Sequence, residues 1–196
     1  MKRFVSVLAV SVMTFFCFAS VTFAEIVPVD EVELYGVKLK GANREDMRKA
    51  LLQAGLTPSK NDKSNEWADY YEVNGQFADA HGLCTAFDPS TGEFAFATYL
   101  FPQTDDLGHT KRLYDVFLGK YGEPESAEGH VELGAATVKW QDPSGQWGIT
   151  LRRNWPVVES SVWYANWPVF DRYKAWANAQ DANAKPMDVR AQSNAF

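Results

Sequence analysis

Asp79, His81 and Cys84 fall within six consecutive positions, and a histidine three residues from a cysteine begins either a zinc site or a thiol–imidazole pair. Neither chemistry is completed elsewhere in the chain. A closed zinc site takes about four ligands, whereas His109 and His130 have no cysteine or second histidine at short spacing. A nucleophilic Cys84 needs an electropositive neighbourhood, and its nearest charges in sequence are Asp79 and Asp88. The plainer reading is a small buried cysteine in a strand, with His81 in the preceding loop. There is no Gly-x-Ser-x-Gly elbow and no glycine-rich phosphate loop. Acidic pairs such as Glu31 with Glu33, or Glu123 with Glu125, read as solvated surface charge rather than a glycosidase pair. No catalytic residue, metal or cofactor is therefore expected, and a cysteine-dependent enzyme stands last among the readings.

Recognition chemistry is better represented. Arg152, Arg153, Trp155, Trp163, Tyr164 and Trp167 crowd into sixteen positions, and Trp, Tyr and Arg are the side chains that dominate binding hot spots. Asn154-Trp155-Pro156 and Asn166-Trp167-Pro168 bracket a predicted strand on which Glu159, Trp163 and Trp167 share one face by the two-residue period. Exposed, that face would hold a protein partner or stack on a sugar ring. Buried, it would be core, the commoner fate of large aromatics.

The amino terminus fixes the expected compartment. Lys2 and Arg3 precede an uncharged run, and Ala19 to Ala24 supplies small residues before Glu25, the layout of a secretory signal peptide cleaved near Glu25. An uncleaved membrane anchor is the rival, opposed by Ser6, Ser11, Thr14 and Ser20 within the run. Cys17 follows bulky Phe15 and Phe16, where a bacterial lipoprotein carries small residues. Export leaves Cys84 as the single cysteine, so no internal disulfide supports the fold. The net charge of −6 becomes more negative when Lys2 and Arg3 leave, which disfavours nucleic acid and anionic lipid as partners. Aromatic content of 14% provides enough apolar surface for a packed core.

Patterning then supplies the elements that would position these side chains. Val32 to Lys40 reads as a strand interrupted near Gly36. Asn43 caps a helix carrying Met47, Ala50, Leu51 and Ala54, which Gly55 ends. Trp67 to Val73, Leu83 to Phe87 and Phe94 to Phe101 read as strands, the last two joined at Asp88-Pro89-Ser90-Thr91-Gly92. A second helix carries Leu113, Val116, Phe117, Leu118 and Tyr121 and stops at Gly122. Ala136 to Gln141, Gln146 to Arg152 and Val157 to Trp167 are further strands, followed by a closing helix with Phe170, Tyr173 and Trp176.

Leu51 and Gly55 are matched by Leu118 and Gly122 at a spacing of 67, and Pro58 and Phe101-Pro102 by Pro124 and Trp167-Pro168 at 66. The expectation is an α+β fold of two tandem helix-plus-antiparallel-strand (αβββ-like) repeats that share a core and shelter each other's apolar faces. The divisions are a signal peptide over 1–24, repeats over 25–102 and 103–176, and a flexible tail over 177–196. Over about Glu33 to Pro168, through the Leu-x-x-x-Gly and aromatic-Pro positions, this layout resembles exported helix-plus-sheet repeat proteins of the beta-lactamase inhibitor protein-like and BamE-like kinds. The resemblance implies protein binding rather than catalysis. It transfers no functional residue, because the lipoprotein cysteine of one family and the disulfides of the other are missing. The expected protein is thus a periplasmic or secreted, non-enzymatic module with a protein partner in the cell envelope, meeting a membrane only if the leader is retained. A small-ligand or glycan binder using a pocket between the repeats is the alternative.

Overall fold

The computed structural model describes residues 26–60 and 67–183. The expected signal peptide and the part of the expected tail beyond 183 lie outside the described residues. A short hairpin, β1 (Glu33–Leu34) and β2 (Val37–Lys38), precedes α1 (Arg44–Gln53). Four strands follow: β3 (Thr57–Pro58), β4 (Ala68–Glu72), β5 (Gly82–Phe87) and β6 (Phe94–Leu100). After α2 (His109–Tyr121) come β7 (Ser126–Gly129), β8 (Ala136–Gln141), β9 (Trp147–Arg153) and β10 (Ser160–Asn166), and α3 (Trp167–Asn183) closes the chain. The fold is α+β, with antiparallel pairing and a carboxy-terminal helix as expected.

The strands form one eight-stranded sheet in the order β3-β4-β5-β6-β10-β9-β8-β7. Two four-stranded meanders therefore meet edge to edge through β6 and β10, where Trp163 pairs with Thr98 and Ala165 with Phe96. The expected mutual sheltering of two sheet faces does not occur. Joined in one sheet, the halves lie side by side, and helices cover the faces instead.

On the first face, α1 contributes Met47 and Leu51 and α2 contributes Leu113, Phe117 and Tyr121 to a continuous core with Phe87, Phe94, Trp140, Ile149 and Val162. Asn43 accepts from the Asp46 amide and caps α1 as its sequence position requires. Gly108 gives α2 no such cap. The missing cap costs about 1 kcal/mol, which is small beside the 1.5–3 kcal/mol or so that each buried large side chain contributes. Phe117 packs 5.7 Å from Trp140 and 6.3 Å from Tyr164, ring centroid to centroid. Trp140 also donates to the Gly122 carbonyl at 2.8 Å, pinning the end of α2 to β8. At the other side, Arg44 and Arg48 grip the buried Asp69 of β4 at 2.6–2.9 Å. Burial alone would raise the Asp69 pKa, but the two guanidinium groups outweigh it and hold the carboxyl below its usual range.

The second face is set by the cross-strand register. One row runs Gln141, Gly148, Ala165, Phe96, Ala86, Ala68, and α3 lies on its small residues through Val169 and Tyr173. Trp167 rests on Gly148 so closely that a β-carbon there would come within 2.4 Å of the indole nitrogen. This contact explains a departure from the sequence reading, which carried a strand through Trp167. With its ring seated on Gly148, Trp167 starts a helix, and Pro168 is tolerated because the first turn has no amide partner to lose. The helix then continues over 177–183, where a tail was expected. Ala177 and Ala179 favour helix without needing apolar partners.

Arg172 fixes the same helix to the β5–β6 turn. It donates to Asp88, which also accepts from the Ser90 amide at 2.7 Å, and to Glu93 at 2.8 Å. Burial opposes ionisation of Asp88, yet the hydrogen bonds from Ser90 and Arg172 hold its pKa down to about 2.

Two outcomes follow from this architecture. Gly148→Val should lower stability by about 1–3 kcal/mol through overpacking, read by urea unfolding, while Thr150→Val two residues away should stay within about 0.5 kcal/mol. An unfolded aspartate titrates near 3.9, above folded Asp88, so the Asp88 contribution is complete above about pH 4 and is lost as pH falls through about 2. Asp88→Asn should accordingly flatten the dependence of unfolding free energy on pH across that window.

Candidate functional site

Helix α3 covers the second face chiefly over β5, β6 and β10, and reaches β9 through Trp167 on Gly148. Across β8 and β9 the adjoining rows stay open: Lys139 pairs with Thr150, which pairs with Trp163, and Thr137 pairs with Arg152, which pairs with Ser161. Thr137, Thr150, Arg152, Trp163, Trp167 and Phe170 line a groove of about 240 Å³ between this open half and the flank of α3.

One wall of the groove is a rigid aromatic cluster. Phe170 stands edge-on to Trp167 at 5.8 Å and 83°, to Trp163 at 6.2 Å and 77°, and to Phe96 at 5.4 Å and 88°. Edge-to-face contacts of this kind contribute about 0.5–1.5 kcal/mol each beyond area burial. Trp163 and Trp167 are half-buried, with part of each ring facing solvent. The Trp163 indole nitrogen donates to Ser161 at 3.2 Å, which fixes its ring. The floor is polar, with threonine hydroxyls and the exposed Arg152. Among the described residues neither Arg152 nor Lys139 has a carboxylate partner. The surface thus combines fixed aromatic edges, hydroxyls and uncommitted positive charge on a chain of net negative charge.

Of the six residues expected to bind, Arg152, Trp163 and Trp167 meet here. Two others face the opposite way. Tyr164 projects into the first-face core at 5% exposure, among the phenols of Tyr35, Tyr99 and Tyr121, and burial pushes its pKa well up. Arg153 is 1% exposed; its Nη1 donates to the Gly134 carbonyl at 3.1 Å, and Nε and Nη2 have no partner among the described residues. The alternation of β9 sends Arg152 outward and Arg153 inward. Trp155 is 57% exposed in the β9–β10 connection, with the Arg153 guanidinium 5.7 Å from its ring centroid, away from the groove lining.

Thr137, Thr150 and Phe170 are groove residues that the sequence reading did not single out. Thr150 shares the face of Arg152 by the period of two, and Phe170 would have followed from a helix begun at Trp167 rather than after it.

The reactive-group readings take a definite form. Cys84 is enclosed at 2% exposure on the second face, and burial pushes its thiol up to about 12, against the hydrogen bond from Tyr70. It stays protonated at neutral pH. His109 packs edge-on to Phe101 at 5.2 Å in the other core, so the two do not form a dyad. His81 and His130 are exposed. Among the described residues no group of three or more His, Cys, Asp or Glu side chains could hold a metal ion, and no helix is long and apolar enough to cross a membrane.

No protein-family model matches this chain, and no curated protein matches it. One solved structure is similar: a DUF4309 family protein (YjgB) from Bacillus subtilis, at 9% identity, over 70% of this chain and 88% of that one, with a TM-score of 0.43.

The placement of Arg153 makes an energetic prediction. A buried guanidinium with two unpartnered nitrogens is expensive to desolvate, so Arg153→Met should leave stability unchanged or raise it by about 1–4 kcal/mol. Urea unfolding checks this. A loss of about 2 kcal/mol or more would mean that the bond to Gly134 outweighs desolvation.

Proposed function

We propose that this chain is an exported, non-enzymatic binding module of the bacterial cell envelope, whose open sheet half receives an acidic, extended segment of a protein partner. The observation that carries the reading is the union of a fixed aromatic wall, Trp163, Trp167 and Phe170, with Arg152 and Lys139, which have no carboxylate partner among the described residues, on a sheet face that α3 leaves uncovered. Aromatic anchors with few rotatable bonds lose little entropy on binding, and a guanidinium pairs carboxylates in bidentate fashion. The leader-like Lys2 to Ala24 supports export.

The two halves are proposed to descend from a duplicated helix-plus-strands unit. Supporting this are the 66–67-residue spacings and the strand order, in which each helix is followed by a four-stranded meander. Leu51 is fully buried and Leu118 only partly so, a difference that divergence of the two units would produce.

A photo-crosslinking residue placed at Thr150 in the exported protein tests the reading directly. The expected result is one crosslinked envelope protein, reduced about tenfold or more by Trp163→Ala or Arg152→Glu, and absent when the crosslinker sits at Glu45 on α1. Equal crosslinking from Thr150 and Glu45, or yields indifferent to both substitutions, would reject it.

A further inference from the structure

A second cavity lies at the end of the sheet where the two halves meet. The β5–β6 turn, the β8–β9 turn, the loop before α1 and the start of α3 enclose a cleft of about 520 Å³, more than twice the groove volume. That size is within the range of small-ligand pockets, about 300–1,000 Å³. It does not share a residue with the groove.

The chemistry of its lining is selective. The charged side chains that reach it are already paired: Arg172 with Asp88 and Glu93, and Lys40 with Asp30 at 3.0 Å. Two carboxylates share the Arg172 guanidinium, so an anionic ligand would have to break those pairs and would find no uncompensated positive charge in return. Gln146 and Asn166, by contrast, have carboxamides without a hydrogen-bond partner among the described residues, and the Trp167 amide ties their two segments together by donating to the Gln146 carbonyl at 2.8 Å. A carboxamide donates and accepts at once, as a sugar hydroxyl does. The floor is apolar, formed by Phe94 and Trp147, whose rings lie parallel within 9° at 6.2 Å, with Pro168 beside them. Neutral hydrogen bonding at the rim over an apolar floor matches the two faces of a pyranose ring, hydroxyl edge and C–H face.

We infer that this cleft binds a neutral, polyhydroxylated ligand of the oligosaccharide class through Gln146 and Asn166. The two hairpin turns hold it open: Asp88 accepts from Ser90, and Asp142 accepts from the Ser144 amide at 3.1 Å and the Trp147 amide at 2.7 Å, so the rim is built before any ligand arrives. Pre-built rims bind with less ordering cost. The site shares no lining residue with the protein-docking face, so a substitution at Trp163 separates the two.

Titration calorimetry and amide chemical-shift mapping of the exported chain test it with cellotriose, maltotriose and the N-acetylglucosamine trimer as neutral probes and trigalacturonate as the charged one. A neutral trisaccharide is expected to bind and to shift the Gly92, Gln146 and Asn166 amides. The trimer of N-acetylglucosamine as preferred ligand would indicate a cell-wall source, and a glucose trimer a free or capsular glycan. Gln146→Ala with Asn166→Ala should weaken binding about tenfold or more at unchanged unfolding midpoint, while Trp163→Ala should not alter it. Absence of binding by all three neutral sugars at millimolar concentration, equal binding of trigalacturonate, or shifts confined to Thr150 and Trp163 would overturn the inference.

Discussion

The seat of α3 on a strip of small residues determines what the rest of the molecule can present. Gly148, Ala165, Ala86 and Ala68 occupy one register row, and only there can a helix approach the sheet closely enough to bury Val169 and Tyr173. The strip crosses β4, β5, β10 and β9 and ends at the exposed Gln141 of β8. Beyond it the face bears Lys139, Thr150, Thr137 and Arg152, residues that a solvated sheet surface tolerates and a helix seat does not. A sheet of eight strands is wider than one helix, so one helix on one face leaves half of it open. The groove is therefore a direct consequence of where β-carbons are missing, and the aromatic wall is the flank of the helix seated on that strip.

The other face obeys the opposite rule. Large side chains fill it, two helices cover it, and two of its polar groups are tied firmly to partners, Asp69 to Arg44 and Arg48 and Trp140 to Gly122. Arg153 is only partly satisfied: strand alternation draws it inward, as it does Asp69, but among the described residues only its Nη1 has a hydrogen-bond partner. Rigidity on this side is what allows the second face to be left incomplete: the core beneath Phe117 and Trp140 holds the sheet in shape without a full second layer.

Local chemistry made much of this legible from the residues. Asn43 three positions before Asp46, Gly55 and Gly122 after apolar stripes, and the two Asp-Pro-Ser turns each specify a boundary through backbone hydrogen bonding, and the structure places helix ends and hairpins there. Short edge strands were not legible, because Thr57–Pro58 and Ser126–Gly129 are exposed along their length and carry no alternation to read. The start of α3 is not legible locally for a physical reason: an aromatic-Pro pair suits the end of a strand as well as the first turn of a helix, and the Gly148 on which the Trp167 ring rests is nineteen residues away. The same long-range contact decides the site. Periodicity separated Arg152 from Arg153, but that Trp163 and Trp167 would share a groove with Thr137 depended on the register between β8, β9 and β10, which no single segment encodes.

The most direct measurement is the rate of thiol labelling along the row Lys139, Thr150, Thr98, with single cysteines introduced on a Cys84→Ala background. A half-covered face requires ready labelling at the half-exposed Lys139→Cys and Thr150→Cys and labelling at Thr98→Cys, which α3 and its neighbours bury to 4% exposure, slower by about a hundredfold or more. Equal rates at Thr150 and Thr98 would contradict the seating of α3 on its strip, and the open groove would lose its basis.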